Sequence, residues 1–482
     1  MRLRVATPVF GGGVEPRKFH EIEPIRAASV RGHLRFWWRA TQDFAKFKSI
    51  DELFQNEQEI WGGVHFQVPP KPGRTEPEYE SKPSAVAVSV EPDETSGEDP
   101  DGLPIVWPDD IGGASAYAMF SSRPAPGKNP DPLFVHQQFT LELGFPKALS
   151  DDVMTAVRAW ICFGGYGSRT RRGAGTIQVL SGVAGYLSPE DVCPKFLDSK
   201  SNPAIEHPLG WVRPEGKPPK WARHIPNLRW SWMQIGSDDS TNVKDAWASA
   251  VGFVKRFRQD ESRPGKPKKK HRLRRTDWPE PDKIRKLAAI PKPFTKWEHT
   301  PHTEHLGDPA WPRSSLGLPI ITRFQNKDWK DQPYANPDPG FVLRRDKITG
   351  KPIGWDNREQ HNFTLAWIDS AGKIQDRLAS PVITKAIQVG EDQFLPVIVG
   401  FETDPPDGQV VLMDPHAAPN AEDKDRYVKG SAAPFDTISG AGDTGVRYQP
   451  LRSPAVTTAP AGQKVLTAFR EWVKNNGGRR IY

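Results

Sequence analysis

The stretch FGGYGSRTRRGAG, residues 163–175, constrains this chain more than any other, because it packs Gly164, Gly165, Gly167, Gly173 and Gly175 between a helix-patterned segment and a strand-patterned one. Glycines permit backbone approaches that a Cβ forbids. Upstream, Ser150 reads as a helix cap and Asp151 and Asp152 suit the positive end of the helix dipole. Val153, Val157 and Trp160 form an apolar stripe that stops at Gly164. Downstream, TIQVL reads as a strand. The order helix, glycine loop, strand excludes a dinucleotide fingerprint, which needs strand before helix and G-x-G-x-x-G spacing. It is not a phosphate-binding Walker loop either.

The rest of the chain divides by the same signals. Residues 2–6 alternate as a strand and run into the turn-forming TPVFGGG. From Ser29, taken as the N-cap, Val30, Leu34, Trp37, Thr41 and Phe44 recur at helical spacing. Residues 69–110 read as an acidic, proline-rich insertion carrying one alternating strand, SAVAVSV. A loop-like stretch from about 186 to 227 separates two domains, expected at 1–205 and 206–482. The second domain is expected to hold a strand at RWSWMQI, a helix over 245–257, strands at LGLPIITRF and FLPVIVGFE, and a last helix ending at Gly477. Both halves mix strand and helix, which predicts an α+β fold. Sequence identity between the halves is too weak to mark a repeat.

Three segments carry chemistry. In PIRAASVRGHLRFWWRA, Arg31, Arg35 and Arg39 fall four apart and share one helical stripe. Arg26 and Arg31 lie at the start of that helix, where the macrodipole disfavours cations, so a bound anion would relieve the conflict. Trp38 is included with them as an RNA-binding residue. In the glycine-rich loop, Ser168, Arg169, Arg171 and Arg172 are expected to hold phosphates and Tyr166 to stack on a base. The third segment is the basic tract 255–275, where Lys268, Arg274 and Arg275 are expected to add salt-dependent attraction. Trp278, just beyond, reads as a stacking edge. The formal net charge of +7 and pI near 9.1 agree with a polyanionic partner.

Together the strand ending in TP-x-F-x-GG, the PIR-x-x-S-x-RG-x-LRFWWRA helix and GG-x-GSRTRRGAG resemble the RAMP superfamily of CRISPR effector proteins. RFWWRA, WPEPD-x-IR at 278–285, LGLPI at 316–320 and RLASPVITK at 377–385 are similar to the first Cmr subunit of type III-B complexes. The resemblance implies two ferredoxin-like, RRM-like RAMP domains with long insertions. It also implies a cytoplasmic, antiviral ribonucleoprotein in which this subunit sits near the 3′ end of the guide RNA. Its implied partners are guide RNA, complementary target RNA and other Cmr subunits. Catalysis would reside elsewhere in the assembly.

Rival classes rest on histidines. A metal-independent endonuclease that cuts CRISPR-repeat RNA would need His20 or His33, but His33 lies beside a buried helical face, where a structural role is the better reading. His299, His302 and His305 have metal-compatible spacing within a polar loop, and a surface loop is preferred. No metal or cofactor is expected. Cys162 and Cys193 cannot build a disulfide framework, which suits a reducing compartment. No run of about 20 apolar residues and no signal-peptide pattern is read, so neither a membrane span nor a leader is expected.

Overall fold

Strand β1 (Arg2–Val5) buries Leu3 and Val5 and exposes Arg2, the alternation expected of a sheet with one face on a core. It sits inside a four-stranded antiparallel sheet, paired with Gln138–Gly144 on one side and Ile177–Ser181 on the other. Ala87–Pro92 closes the far edge against Gln138–Gly144. This computed structural model describes residues 1–15, 18–19, 23–68, 78–93, 105–106, 111–122, 133–182, 209, 211, 214–236, 241–259, 278–287, 309–322, 343–345, 352–355, 363–414, 417–418, 420–435 and 464–480.

Counted along the chain, the four strands lie across the sheet in the order 4-1-3-2. Helix α1 (Ala27–Thr41) follows the first strand, and α2 (Ile50–Trp61) follows α1. A single helical turn, α3 (Ser115–Ala118), lies between the second and third strands, and α4 (Ser150–Phe163) follows the third. α1 packs against α4 through the apolar faces that the periodicity marks: Val30, Leu34 and Trp37 on one, Val153, Val157 and Trp160 on the other. The alternating run expected inside an insertion therefore belongs to the sheet itself, as its edge strand. Around it, the described part of that segment adds a hairpin of Gly63–Val68 with Glu78–Lys82, and a short pair of Ile105–Val106 with Leu133–Phe134.

A second sheet repeats the plan. Its strands Ser231–Ile235, Val382–Gln388, Phe394–Phe401 and Arg479–Arg480 again lie in the order 4-1-3-2, all neighbours antiparallel. The helix Val243–Gln259 follows the first strand and the helix Val465–Asn475 precedes the fourth. The two halves thus share a topology that their sequences do not betray.

By internal contacts the chain forms two compact units. Residues 1–256, 381–404 and 473–482 make one, which contains both sheets over a shared core from Leu3 and Trp160 to Ile387 and Val399. The expected boundary at 205 falls outside the described residues. Residues 257–380 and 405–472 make the other, with a sheet ordered Ile320–Thr322, Phe363–Asp369, Gly408–Leu412, Ala433–Pro434, and Ile374–Gln375 added to the second strand. Trp311, Leu365, Val410 and Leu412 form its centre, and the buried Glu280 carboxylate is met there by Arg313 Nε at 3.2 Å. Among the described residues no helix is long and apolar enough to cross a membrane.

Helix starts differ by a residue or two from the sequence reading. α1 begins at Ala27 with Arg26 as its N-cap, so Ser29 lies inside the first turn. In α4 a 3-10 turn over Lys147–Leu149 runs directly into the helix, which places Ser150 in helical conformation and Leu149 at the cap. Gly164 ends α4 as expected.

Within the first unit, side-chain amides join the edges of the two sheets. Gln388 accepts from the Val179 amide at 2.8 Å and donates to the Val179 carbonyl at 3.1 Å, replacing a neighbouring strand. Gln178 donates to the Glu391 carbonyl at 2.6 Å and accepts from Arg4 at 2.7 Å. Replacing Gln388 by Met keeps the volume but orphans both groups of Val179, so urea denaturation is expected to show a loss of about 2 kcal/mol, as for one buried polar pair left unsatisfied.

Candidate nucleic-acid interface

The glycine-rich loop is built by saturating its own buried carbonyls. The Gly164 carbonyl, at the end of α4, accepts from the Lys385 ammonium. The Gly165 carbonyl accepts from the Trp160 indole at 2.8 Å and meets His33 Nδ1 at 2.6 Å. The Arg172 carbonyl accepts from the Trp247 indole at 2.6 Å, and the Gly173 carbonyl from the Thr7 and Thr176 hydroxyls at 2.7 and 2.9 Å. The loop also closes on itself, Tyr166 amide to Gly175 carbonyl at 2.8 Å, and bridges Phe10 through Ser168.

Two of the glycines are sterically obligatory. Gly175 has φ +62, and a Cβ there would lie 1.9 Å from the Tyr166 carbonyl oxygen. Gly173, at φ +74, would drive a Cβ to 2.6 Å from Trp247 and 2.8 Å from the Thr384 carbonyl. Gly164, Gly165 and Gly167 complete the tight path between α4, Trp37 and Val9.

The two segments singled out in the sequence meet here. The Tyr166 hydroxyl accepts from the Arg26 amide at 2.9 Å, so the loop supplies the oxygen that α1 lacks from its own side chains at its start. The His33 ring lies 5.7 Å from that of Tyr166. A carbonyl oxygen only accepts, so Nδ1 of His33 carries the proton in this contact. Burial holds the imidazole below its usual pKa, which keeps it neutral. His33 is thus tied to the loop through the Gly165 carbonyl. His20 lies outside the described residues, as do His299, His302 and His305.

The expected binding residues sort into three groups. Exposed at the tip are Ser168 and Arg169, the latter in left-handed conformation at φ 65 with its Nε donating to Ser121 Oγ at 2.9 Å. Partly exposed are Arg26, whose Nε stands 4.0 Å from Glu23, and Arg31 on the next turn of α1. Arg171 is half-buried between the rings of Phe36 and Phe401, at 5.8 and 5.9 Å, and burial lowers its pKa to about 10. Interior residues make up the third group and correct the sequence reading. Tyr166 is fully buried, so its ring presents no face to a base. Trp38 is buried with its indole donating to Asp152 at 3.1 Å, and Arg172 is buried with a guanidinium nitrogen donating to the Val382 carbonyl at 2.9 Å. Trp278 is likewise a core residue, bonded to the Phe257 carbonyl at 3.1 Å. Lys268, Arg274 and Arg275 lie outside the described residues.

Arg35 and Arg39 are engaged by a residue that the sequence reading passed over. Glu57 on α2 is 1% exposed and gives one oxygen to Arg35 Nε at 2.7 Å and the other to Arg39 at 2.5 Å. The signal was present: Glu57 lies four residues from both Leu53 and Trp61 on the apolar stripe of α2, where an acid requires a buried partner. Two of the three arginines of the α1 stripe, Arg35 and Arg39, therefore form a structural ion-pair line with Glu57.

Lys385 is fully buried on its strand, and desolvation pushes its pKa down to about 7, against a smaller opposing effect of Cys162. The unfolded chain would keep this amine protonated up to its ordinary value, so the unfolded state binds more protons between about pH 7 and that value. Stability is then expected to rise across this window. Urea midpoints for wild type and Lys385→Met at pH 7 and pH 9 check it: the rise should be present in the first and absent from the second.

Comparison with known proteins places this geometry. The family model of the RAMP superfamily matches residues 2–178. No curated protein sequence matches the chain. Among solved structures, the apo crystal structure of Cmr1 from Pyrococcus furiosus is similar at 13% identity, covering 89% of this chain and 92% of that one with a TM-score of 0.37. A cryo-EM structure of type III-B Cmr-beta bound to cognate target RNA is similar at 11% identity, covering 83% of this chain and 93% of that one with a TM-score of 0.34. The stretch from β1 through the glycine-rich loop, which holds every residue of the site on α1 and α4, is thus the part of the chain that matches the RAMP superfamily.

Proposed function

We propose that this protein is a non-catalytic RNA-binding subunit of a type III-B CRISPR (Cmr) ribonucleoprotein, seated near the 3′ end of the guide RNA. It contacts guide and target RNA and docks against other Cmr subunits. The observation that carries the RNA-binding part is the sorting within the glycine-rich loop: the buried carbonyls are saturated internally, while Ser168 and Arg169 stand exposed two and three residues beyond Tyr166, whose hydroxyl meets the Arg26 amide at the start of α1. A rigid loop that presents a hydroxyl and a guanidinium at its surface suits a phosphate backbone. The Cmr assignment is supported by RFWWRA, WPEPD-x-IR, LGLPI and RLASPVITK, and by the RAMP match over the N-terminal segment.

The shared strand order of the two sheets, each strand–helix–strand–strand–helix–strand, supports the reading of two ferredoxin-like RAMP domains, 1–205 and 206–482. On that reading the third sheet and the basic tract 255–275 are insertions in the second domain. A non-cutting role fits His33, whose Nδ1 is engaged by the Gly165 carbonyl within the fold.

Because Arg172 supports the fold, Arg169→Ala is the cleaner test. Fluorescence anisotropy with single-stranded RNA is expected to show weaker binding across sequences, and a plot of log affinity against log salt shallower by about 0.7, the loss of one phosphate contact. Unchanged affinity and slope would remove the loop from the interface. The purified chain is further expected to leave CRISPR-repeat RNA intact in EDTA, and cleavage abolished by His20→Ala would establish the endonuclease instead.

A further inference from the structure

We infer that Phe120 is a base platform, the ring on which one base of bound single-stranded RNA stacks while Arg169 meets the adjoining phosphate. This rests on the RNA-binding reading above and adds a recognition element that no glycine or arginine motif announces. Phe120 is 67% exposed between buried neighbours, Ala118 and Met119 before it and Ser122 after it. Ala118 and Met119 belong to one apolar cluster with Phe10, Ala174 and Trp247, and Ser122 is fully buried. The Ser122 hydroxyl and amide both donate to the Met119 carbonyl, at 2.7 and 3.0 Å, closing the 3-10 turn Phe120–Ser122. The backbone on both sides of Phe120 is therefore anchored, and the ring is directed outward by a fixed turn.

That turn is joined to the glycine-rich loop. Ser121, the next residue, accepts from Arg169 Nε at 2.9 Å, and Ala174 of the loop shares the cluster that seats Met119. An exposed aromatic ring and an exposed guanidinium thus sit on one rigid frame. An isolated surface phenylalanine needs no explanation. This one is followed directly by Ser121, which accepts from the exposed Arg169, a polar and cationic neighbour that suits a nucleotide better than the apolar core of a protein interface. Single-stranded RNA offers unstacked bases beside phosphates, and base–aromatic stacking tolerates any sequence.

The test uses the full chain and a set of short single-stranded RNAs, each carrying one abasic nucleotide at a different position. Phe120→Leu is expected to bind the intact RNA about tenfold more weakly, the size of one lost stack, and Phe120→Trp to bind at least as well as wild type. At one position the abasic substitution should cost wild type the same factor and cost Phe120→Leu nothing further. Unchanged Tm in both variants, expected for an exposed side chain, separates this from misfolding. Wild-type affinity in Phe120→Leu, equal weakening in Phe120→Trp, or additive losses at every position would overturn the platform while leaving the Arg169 result intact. A wild-type chain that binds no RNA would overturn the RNA-binding reading and the platform with it.

Discussion

A buried lysine fixes the geometry on which the glycine-rich loop depends. Lys385 reaches from the second sheet to the carbonyl at the end of α4, where its amine supplies the donor that the helix end lacks. Arg172 reaches back from the loop to the Val382 carbonyl of the same strand. These reciprocal contacts tie the glycine-rich loop to a strand more than two hundred residues away in sequence. A carbonyl left unsatisfied in that interior would cost about 1–3 kcal/mol, so each link is strongly enforced.

With its interior carbonyls taken, the loop has little freedom to rearrange, and its surface residues inherit that rigidity. The same side-chain type then serves opposite ends according to its neighbours. Arg172 and the pair Arg35 and Arg39 hold the fold together, through Val382 and Glu57. Arg169 stands at the surface. Arginine content alone predicts a polyanion partner, but only the position of acids and carbonyls decides which guanidinium is presented to it.

Much of this was legible in the sequence, and what was missed has physical reasons. The helix–loop–strand order and the apolar stripes of α1 and α4 follow from local periodicity and composition. Local reading failed where a residue's partner lies far along the chain. Tyr166 looked like a stacking ring because nothing nearby shows that its hydroxyl meets the Arg26 amide. Trp38 looked available because Asp152, which takes its indole proton, is on another helix. Ser29 looked like a cap because the loop that supplies the oxygen is not local. The repeated 4-1-3-2 order was hidden for a related reason: it is set by pairings between strands far apart in the chain, such as Arg2–Val5 with Ile177–Ser181.

The left-handed backbone of Arg169 bears on the same point. A non-glycine residue in that region carries a conformational penalty on the order of 1 kcal/mol, and it persists only where the surroundings impose it. Here they do, since Gly167 and Gly173 on either side have positive φ and the loop closes through Tyr166 and Gly175. Glycine at 169 would relieve the strain without disturbing any of those closures, so the fold itself gives no reason for arginine. At the surface the strained backbone instead sets the guanidinium on Ser121, the residue that follows the exposed Phe120.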